Sequence, residues 1–173
     1  MSSSEPTSGT ARRMEGARYR HVIAVRVRYS ETDQMGTYYN SRALEWFECG
    51  RTELLRALGL PYTEMEAQGL FLPLVEAHVE YHGRARYDDP LELHTALRWE
   101  GRARVRLDVE IHHLESRRRV ASGYTVHVFT DRHGRPGRPP EWFLMKFALP
   151  PHRTPPSSQA AAGQTPSQAR GNR

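Results

Sequence analysis

Tyr29-Ser-Glu-Thr-Asp-Gln-Met-Gly-Thr-Tyr-Tyr-Asn-Ser-Arg-Ala-Leu-Glu-Trp-Phe-Glu-Cys-Gly-Arg-Thr-Glu-Leu-Leu-Arg56 is the stretch that decides the fold. It reads as the end of a strand, a polar turn carrying Asp33 and Gly36, and then one long helix. Asn40 or Ser41 is suited to cap that helix by accepting a bond from a free backbone N–H. Ala43, Leu44, Phe47, Gly50, Leu54, Leu55 and Leu58 then recur at three-to-four spacing and form one apolar face. Gly50 costs roughly 1 kcal/mol of helix propensity against alanine. Its place on the apolar face therefore points to a sheet approaching closely. Gly59 is expected to end the helix in the left-handed conformation, and Pro61 prevents its resumption. Residues 62–69 read as a short second helix or an irregular connection.

The rest of the central region alternates with period two. Residues 22–29 place Ile23, Val25, Val27 and Tyr29 on one face and Arg26 and Arg28 on the other, a half-buried strand. Residues 71–81 repeat the pattern with Pro73, Val75, Ala77, Val79 and Tyr81. After the Asp88-Asp89-Pro90 turn, Leu91, Leu93, Leu97 and Trp99 line a third strand, and Gly101 turns the chain. Ala103, Val105, Leu107, Val109 and Ile111 give the cleanest alternation, and residues 120–129 and 142–149 complete the set around a Gly/Pro loop. An antiparallel sheet buries one face and wets the other, and one long helix is there to cover it. The expected class is α+β, with an antiparallel sheet of about five to six strands wrapped around one central helix. A bare sheet edge in such a fold favours dimerisation.

The chain has 173 residues, enough for one domain. Residues 1–18 and 150–173 are rich in Ser, Thr, Pro, Gly and Arg and poor in large apolar side chains, so they are expected to be disordered tails around a domain at 19–149. The formal charge is +5, and Lys146 is the one lysine among 25 basic residues. The arginines alternate with apolar residues along strands and form no basic helix interleaved with aromatics. A solvated sheet face is expected, not a nucleic-acid surface. Cys49 is the only cysteine, which excludes an intrachain disulfide and a thiolate cluster. There is no apolar run of signal or membrane-spanning length, so a cytoplasmic protein without membrane insertion is expected.

The motif Tyr29-x-Glu31-Thr32-Asp33-x-Met35-Gly36, followed by the helix with Trp46-Phe47-Glu48-x-Gly50-Arg51-Thr52-Glu53, resembles the hotdog-fold acyl-CoA thioesterases of the 4-hydroxybenzoyl-CoA thioesterase family. Leu72-Pro73 with Val75, and Arg86-Tyr87-Asp88-Asp89, extend the likeness over roughly residues 22–147. The resemblance implies a hotdog fold in a homodimer or homotetramer, with acyl-CoA hydrolysed at the subunit interface. It also implies that Asp33, the second acidic residue of the motif, is the catalytic group. Seven residues on, the branch associated with the bacterial Tol-Pal cluster has a histidine, whereas this chain has Asn40.

Thioester hydrolysis needs an activated water or a carboxylate nucleophile, with donors for the developing oxyanion. It needs no metal or cofactor beyond the CoA of the substrate, because a thiolate leaves readily. Asp33 is the candidate base or nucleophile, with Tyr29 and Asn40 as candidate neighbours. Amides around Asn40 and Ser41 are candidate oxyanion donors, Leu72 and Pro73 candidate substrate contacts, and Arg84, Arg86 and Arg102 candidate partners of the CoA phosphates. An Asx-turn residue is the alternative for Asp33. Glu45 and Glu48 offer helix carboxylates that read more simply as solvated charge. His78 and His82 have a helical zinc spacing, but their segment reads as a strand, so no metal is expected. Rival functions are a non-catalytic acyl or CoA-binding module and a thioesterase acting on an acyl carrier protein. A hotdog dehydratase would need a catalytic histidine that the motif lacks.

Overall fold

A computed structural model describes residues 19–148, so both expected tails and Leu149 lie outside the described residues. Strand β1 (Tyr19–Arg26) leads through a 3-10 turn (Tyr29–Glu31) to helix α1 (Arg42–Ala57) and a short helix α2 (Tyr62–Ala67). Then come β2 (Leu74–Tyr81), β3 (Pro90–Glu100), β4 (Arg104–His113), β5 (Arg119–Val128) and helix α3 (Glu141–Ala148). The five strands form one sheet in the order β1-β3-β4-β5-β2, and every pairing is antiparallel.

Helix α1 lies across the sheet as its apolar pattern predicts, burying Ala43, Trp46, Phe47, Gly50, Leu54 and Leu55. Two details differ. Leu44 is exposed, and Trp46 takes its place in the core because the indole N–H finds a buried carboxylate, Glu31. The helix ends at Gly59, whose φ is +71°. The Leu60 amide bonds back to Leu55 and the Gly59 amide to Arg56, so the last carbonyls are satisfied.

Glycine is required where the sheet meets α1 and again where two strands of the sheet meet. A Cβ at Gly50 would lie 2.3 Å from Thr95 Oγ1 on β3, and one at Gly123 would lie 1.9 Å from the His78 carbonyl oxygen. The helix packs chiefly on β1 and β3. On β2, Val79 is partly buried against the cluster of Trp46 and Phe47, while Val75 and Tyr81 are 53% and 51% exposed. The alternation expected for residues 71–81 is regular from Glu76, after a register irregularity between Leu74 and Glu76.

Residues 142–149 were expected to form a last strand and instead form helix α3. Pro140 accepts the amides of Phe143 and Leu144 and so starts a helical turn, and Phe143 and Phe147, four residues apart, are both buried. A continuous apolar run carries no period that separates strand from helix. The helix closes one end of the core, where Phe143 and Phe147 meet Trp99, Phe129 and Tyr19.

On the outer face the arginines meet carboxylates. Arg98 and Arg106 hold the buried Asp108 at 2.7 and 3.0 Å, and Arg117 meets Glu92 at 2.5 Å. No helix among the described residues is long and apolar enough to cross a membrane.

The Gly50 contact gives a direct test. Gly50→Ala adds helix propensity but drives a methyl into Thr95, and such overpacking costs typically about 1–3 kcal/mol. A net loss is expected in the urea midpoint. Thr95 Oγ1 is buried with no hydrogen-bond partner, so Thr95→Ala in the Gly50→Ala background should restore stability. Equal midpoints for wild type and Gly50→Ala would contradict the close approach.

Candidate active site

The loop between β1 and α1 is built around Glu31. Its carboxylate is 2% exposed and accepts the Arg28 amide at 2.7 Å, the Arg28 guanidinium at 2.8 and 3.0 Å, and the Trp46 indole N–H at 3.2 Å. Burial alone would push the Glu31 carboxyl up, but the Arg28 amide and side chain and the Trp46 indole outweigh it and hold it below the usual range. The Glu31 carbonyl in turn accepts the Tyr39 amide at 2.8 Å.

Between these anchors the chain makes a tight hairpin. Asp33 and Thr37 bond at 3.0 Å, Gly36 donates to the Asp33 carbonyl at 3.0 Å, and Gly36 has φ +66°. Asp33 Oδ1 accepts the Met35 amide at 2.8 Å, an Asx-turn. Tyr38 donates to the Ala85 carbonyl at 2.9 Å, which ties the hairpin to the segment carrying Arg84 and Arg86.

The predicted side-chain cap of α1 is not formed. The cap position falls on Ser41, which has helical dihedrals and makes no side-chain cap bond. The Arg42, Ala43 and Leu44 amides bond instead to the Tyr39, Asn40 and Ser41 carbonyls. These turn bonds begin at Arg42, so the amides of the exposed Asn40 and Ser41 stay outside them. Tyr81 Oη donates to the Asn40 carbonyl at 3.0 Å, fixing the helix start against the end of β2.

The remaining predicted residues divide between two ends of the sheet. Tyr29 stands on the 3-10 turn instead of in a strand, 78% exposed, with its ring edge-on to Tyr87 at 5.5 Å. Exposed Arg84 and Arg86 follow β2 on the same side, and the Arg86 amide bonds to Asp89 at 2.7 Å. Leu72 and Pro73 precede β2 and so lie at the opposite end, a strand length of roughly 26 Å away. Arg102, on the β3–β4 hairpin, is at that far end too. His78 and His82 both contact Glu80, at 3.1 and 3.7 Å, from an exposed strand.

Leu72 and Pro73 line a groove of about 410 Å³ with Tyr62 and Phe71. Behind it lies a residue that sequence reasoning did not single out. His127 is 1% exposed, with Nδ1 3.0 Å from the Leu72 carbonyl and Nε2 2.9 Å from Arg51 and 3.1 Å from Thr125 Oγ1. A period-2 reading of β5 would have put His127 on the inner face with Thr125. Glu31 was legible only as a motif position, because its partners come from Arg28 and from the second turn of α1.

A family model described as the thioesterase-like superfamily matches residues 27–152. The chain belongs to that superfamily. YneP of Bacillus subtilis is 41% identical over 71 residues, covering 41% of this chain and 51% of YneP. The acyl-CoA thioesterase YbgC of Haemophilus influenzae is 39% identical over 72 residues, 41% of this chain and 53% of its own. The chain thus spans about half the length of the curated relatives it matches. A crystal structure from Aquifex aeolicus superposes with a TM-score of 0.68 at 29% identity, covering 73% of this chain and 98% of that one. The 1,4-dihydroxy-2-naphthoyl-CoA thioesterase of Synechocystis gives 0.69 at 21% identity over 75% and 96%. The sheet curled on one long helix is the hotdog fold.

Burial, and then the Arg51 charge, push the His127 imidazole down to about 4 from 6.5. Unfolded chains therefore take up a proton near pH 6.5 that folded chains refuse until about pH 4. Stability should fall as pH drops through that window and level off below it, by roughly 3 kcal/mol in all. His82, also lowered by burial and by Arg119, acts in the same direction. Urea midpoints at pH 7.5, 6 and 5 should show a slope that His127→Gln flattens in large part. An unaltered slope in that variant would rule out the buried neutral imidazole.

Proposed function

We propose that the protein hydrolyses acyl-CoA thioesters to the free acid and CoA, with Asp33 as general base or nucleophile. The observation that carries this reading is that the Asp33 turn and the start of α1 are one bonded unit. The Thr32–Tyr38 bridge and the Tyr39-to-Glu31 bond hold the carboxylate and the Asn40 and Ser41 amides on the same short loop. Only Oδ1 of Asp33 is engaged by the turn, and Oδ2 remains to face a substrate.

In this reading the thioester carbonyl oxygen sits on the amides of Asn40 and Ser41, where the helix dipole favours developing negative charge. Asp33 takes a proton from water as its oxygen attacks the carbonyl carbon. The tetrahedral intermediate collapses, the C–S bond breaks, and the CoA thiolate leaves and is protonated by Asp33. If Asp33 attacks directly, a mixed anhydride forms and water then opens it; products and proton balance are the same. Neither route calls for a metal or a cofactor beyond the CoA of the substrate. Asn40 contributes through its backbone, since an amide side chain is no base at neutral pH. Tyr29 and Tyr87 form an aromatic surface at the site mouth, and Arg84 and Arg86 offer charge for the CoA phosphates.

The site is completed by a second copy. β2 is an edge strand on which Val75, Ala77 and Tyr81 are exposed among the described residues, an arrangement that invites strand pairing. Antiparallel pairing of β2 with its symmetry mate sets Leu74 of one copy beside Tyr81 of the other. The second copy's Leu72 and Pro73 then come next to Asn40, and its Arg102 approaches from the same side. A homodimer is the minimal unit, and a homotetramer would be a pair of such dimers.

Asp33→Asn separates catalysis from folding, because an asparagine oxygen still accepts the Met35 amide. Thiol release from a panel of acyl-CoAs should fall by about 10²- to 10³-fold in kcat with an unchanged melting temperature. Turnover equal to wild type would exclude Asp33. CoA binding without turnover in the wild type would favour a binding module. Separately, Ala77→Glu on the bare edge should yield monomers in sedimentation and abolish turnover together; active monomers would refute a shared site.

A further inference from the structure

The Arg51–His127 pair takes no part in the proposed chemistry, yet it touches both walls of the 410 Å³ groove. One wall is α2, where Tyr62 lies under the Arg51 guanidinium at 5.6 Å from the ring centroid. The other is the Phe71–Pro73 segment, whose Leu72 carbonyl is held by His127. A carbonyl can only accept, so Nδ1 carries the proton. Nε2 is then an acceptor, which suits the Arg51 N–H at 2.9 Å and the Thr125 hydroxyl at 3.1 Å. This neutral tautomer suits the Leu72 carbonyl and the Arg51 N–H together, with the Thr125 hydroxyl sharing the one Nε2 lone pair. One half-buried cation on the central helix thereby links the two walls: stacking holds α2, and the imidazole relays the hold to the entrance of β2.

We propose that this groove is the acyl-chain subsite and that Arg51 and His127 are positioning residues that set its width and so select acyl length. The inference rests on the thioesterase reading and its β2-paired dimer, in which the groove of one copy opens beside Asn40 of the other. Tyr62, Phe71, Leu72 and Pro73 give it an apolar side, and Glu66, Thr130, Asp131 and Arg132 form the polar remainder of its lining. The volume lies within the range of small-molecule pockets, and apolar contact makes affinity rise with each buried methylene. The class of ligand is an acyl group with an unbranched apolar chain of medium length.

The test uses S-alkyl-CoA thioethers of two to twelve carbons, which bind but cannot be hydrolysed, in calorimetric titrations of the full chain. In Arg51→Met and His127→Phe the ten-carbon thioether should bind about tenfold more weakly, and the loss should shrink steadily toward the two-carbon one. KM for the matching acyl-CoAs should follow the same gradient while kcat changes little. His127→Gln, whose amide can donate to Leu72 and accept from Arg51, should recover most of the affinity. Tyr62→Leu, at a half-buried position, removes the stacking partner without touching the Arg51–His127 pair and supplies a folded variant if the other two unfold; it should reproduce the gradient. A loss equal at every length, or no loss, would overturn the inference. Wild-type protein that binds the series with length dependence but hydrolyses no thioester would sink the thioesterase reading and leave the subsite standing. Protein that binds no thioether would sink the subsite.

Discussion

The absence of a side chain at Gly50 sets the distance between helix and sheet, and much else follows from that distance. With Thr95 Oγ1 where a Cβ would lie, α1 sits down on β1 and β3, and its large residues seal one core cluster at each end. Trp46 and Phe47 fill the end near Asp33, and Leu54 and Leu55 the end near α3. Over β5, a Cβ at Gly123 would meet the His78 carbonyl of β2 at 1.9 Å and the Phe47 ring at 3.0 Å. The helix packs chiefly on β1 and β3, and on β2 it leaves Val75, Ala77 and Tyr81 exposed.

Glu31 solves a different problem. The loop that carries Asp33 is polar and mostly exposed, so hydrophobic burial cannot hold it. A buried carboxylate with donors from the loop's start and from α1 does so, because leaving it unpaired would cost several kcal/mol. Its bonds tie strand end, turn and helix into one unit. Asp33 is positioned by that unit without being buried in it.

Much of this was legible in the sequence because it depends on local chemistry. The period of α1, the glycine at its end and the alternation of β3 and β4 all express contacts within a few residues or one sheet face. The sequence pattern also flagged Gly50 as a point of close approach. What was not legible depended on distant partners. The run at 142–149 has no period that tells strand from helix; proline at 140 and the aromatic cluster at the far end of the sheet decide it. Ser41 has capping chemistry, but three-residue bonds within the turn occupy the amides it would have served. Trp46 displaced Leu44 from the helix face because Glu31, fifteen residues back, needed a donor. Within the site, the Asp33 turn and the Arg84–Arg86 segment were brought together by strand pairing that alternation foretold only in outline.

Within one chain the length of β2 separates Leu72 and Pro73 from Asp33. A two-fold axis through the middle of β2 exchanges its ends, so what one copy lacks at Tyr81 the other supplies at Leu74. The same edge that exposes unpaired backbone and apolar residues is the edge across which the two halves of the site are complementary. In the proposed dimer, solubility and catalysis impose one requirement on this strand, that it be paired. A charge on that edge, the usual protection of a monomer against aggregation, is indeed confined to the outer face, at Glu76, His78 and Glu80, while the inner positions stay apolar. That asymmetry fits a strand that pairs with its own copy and keeps its inner face for a ligand.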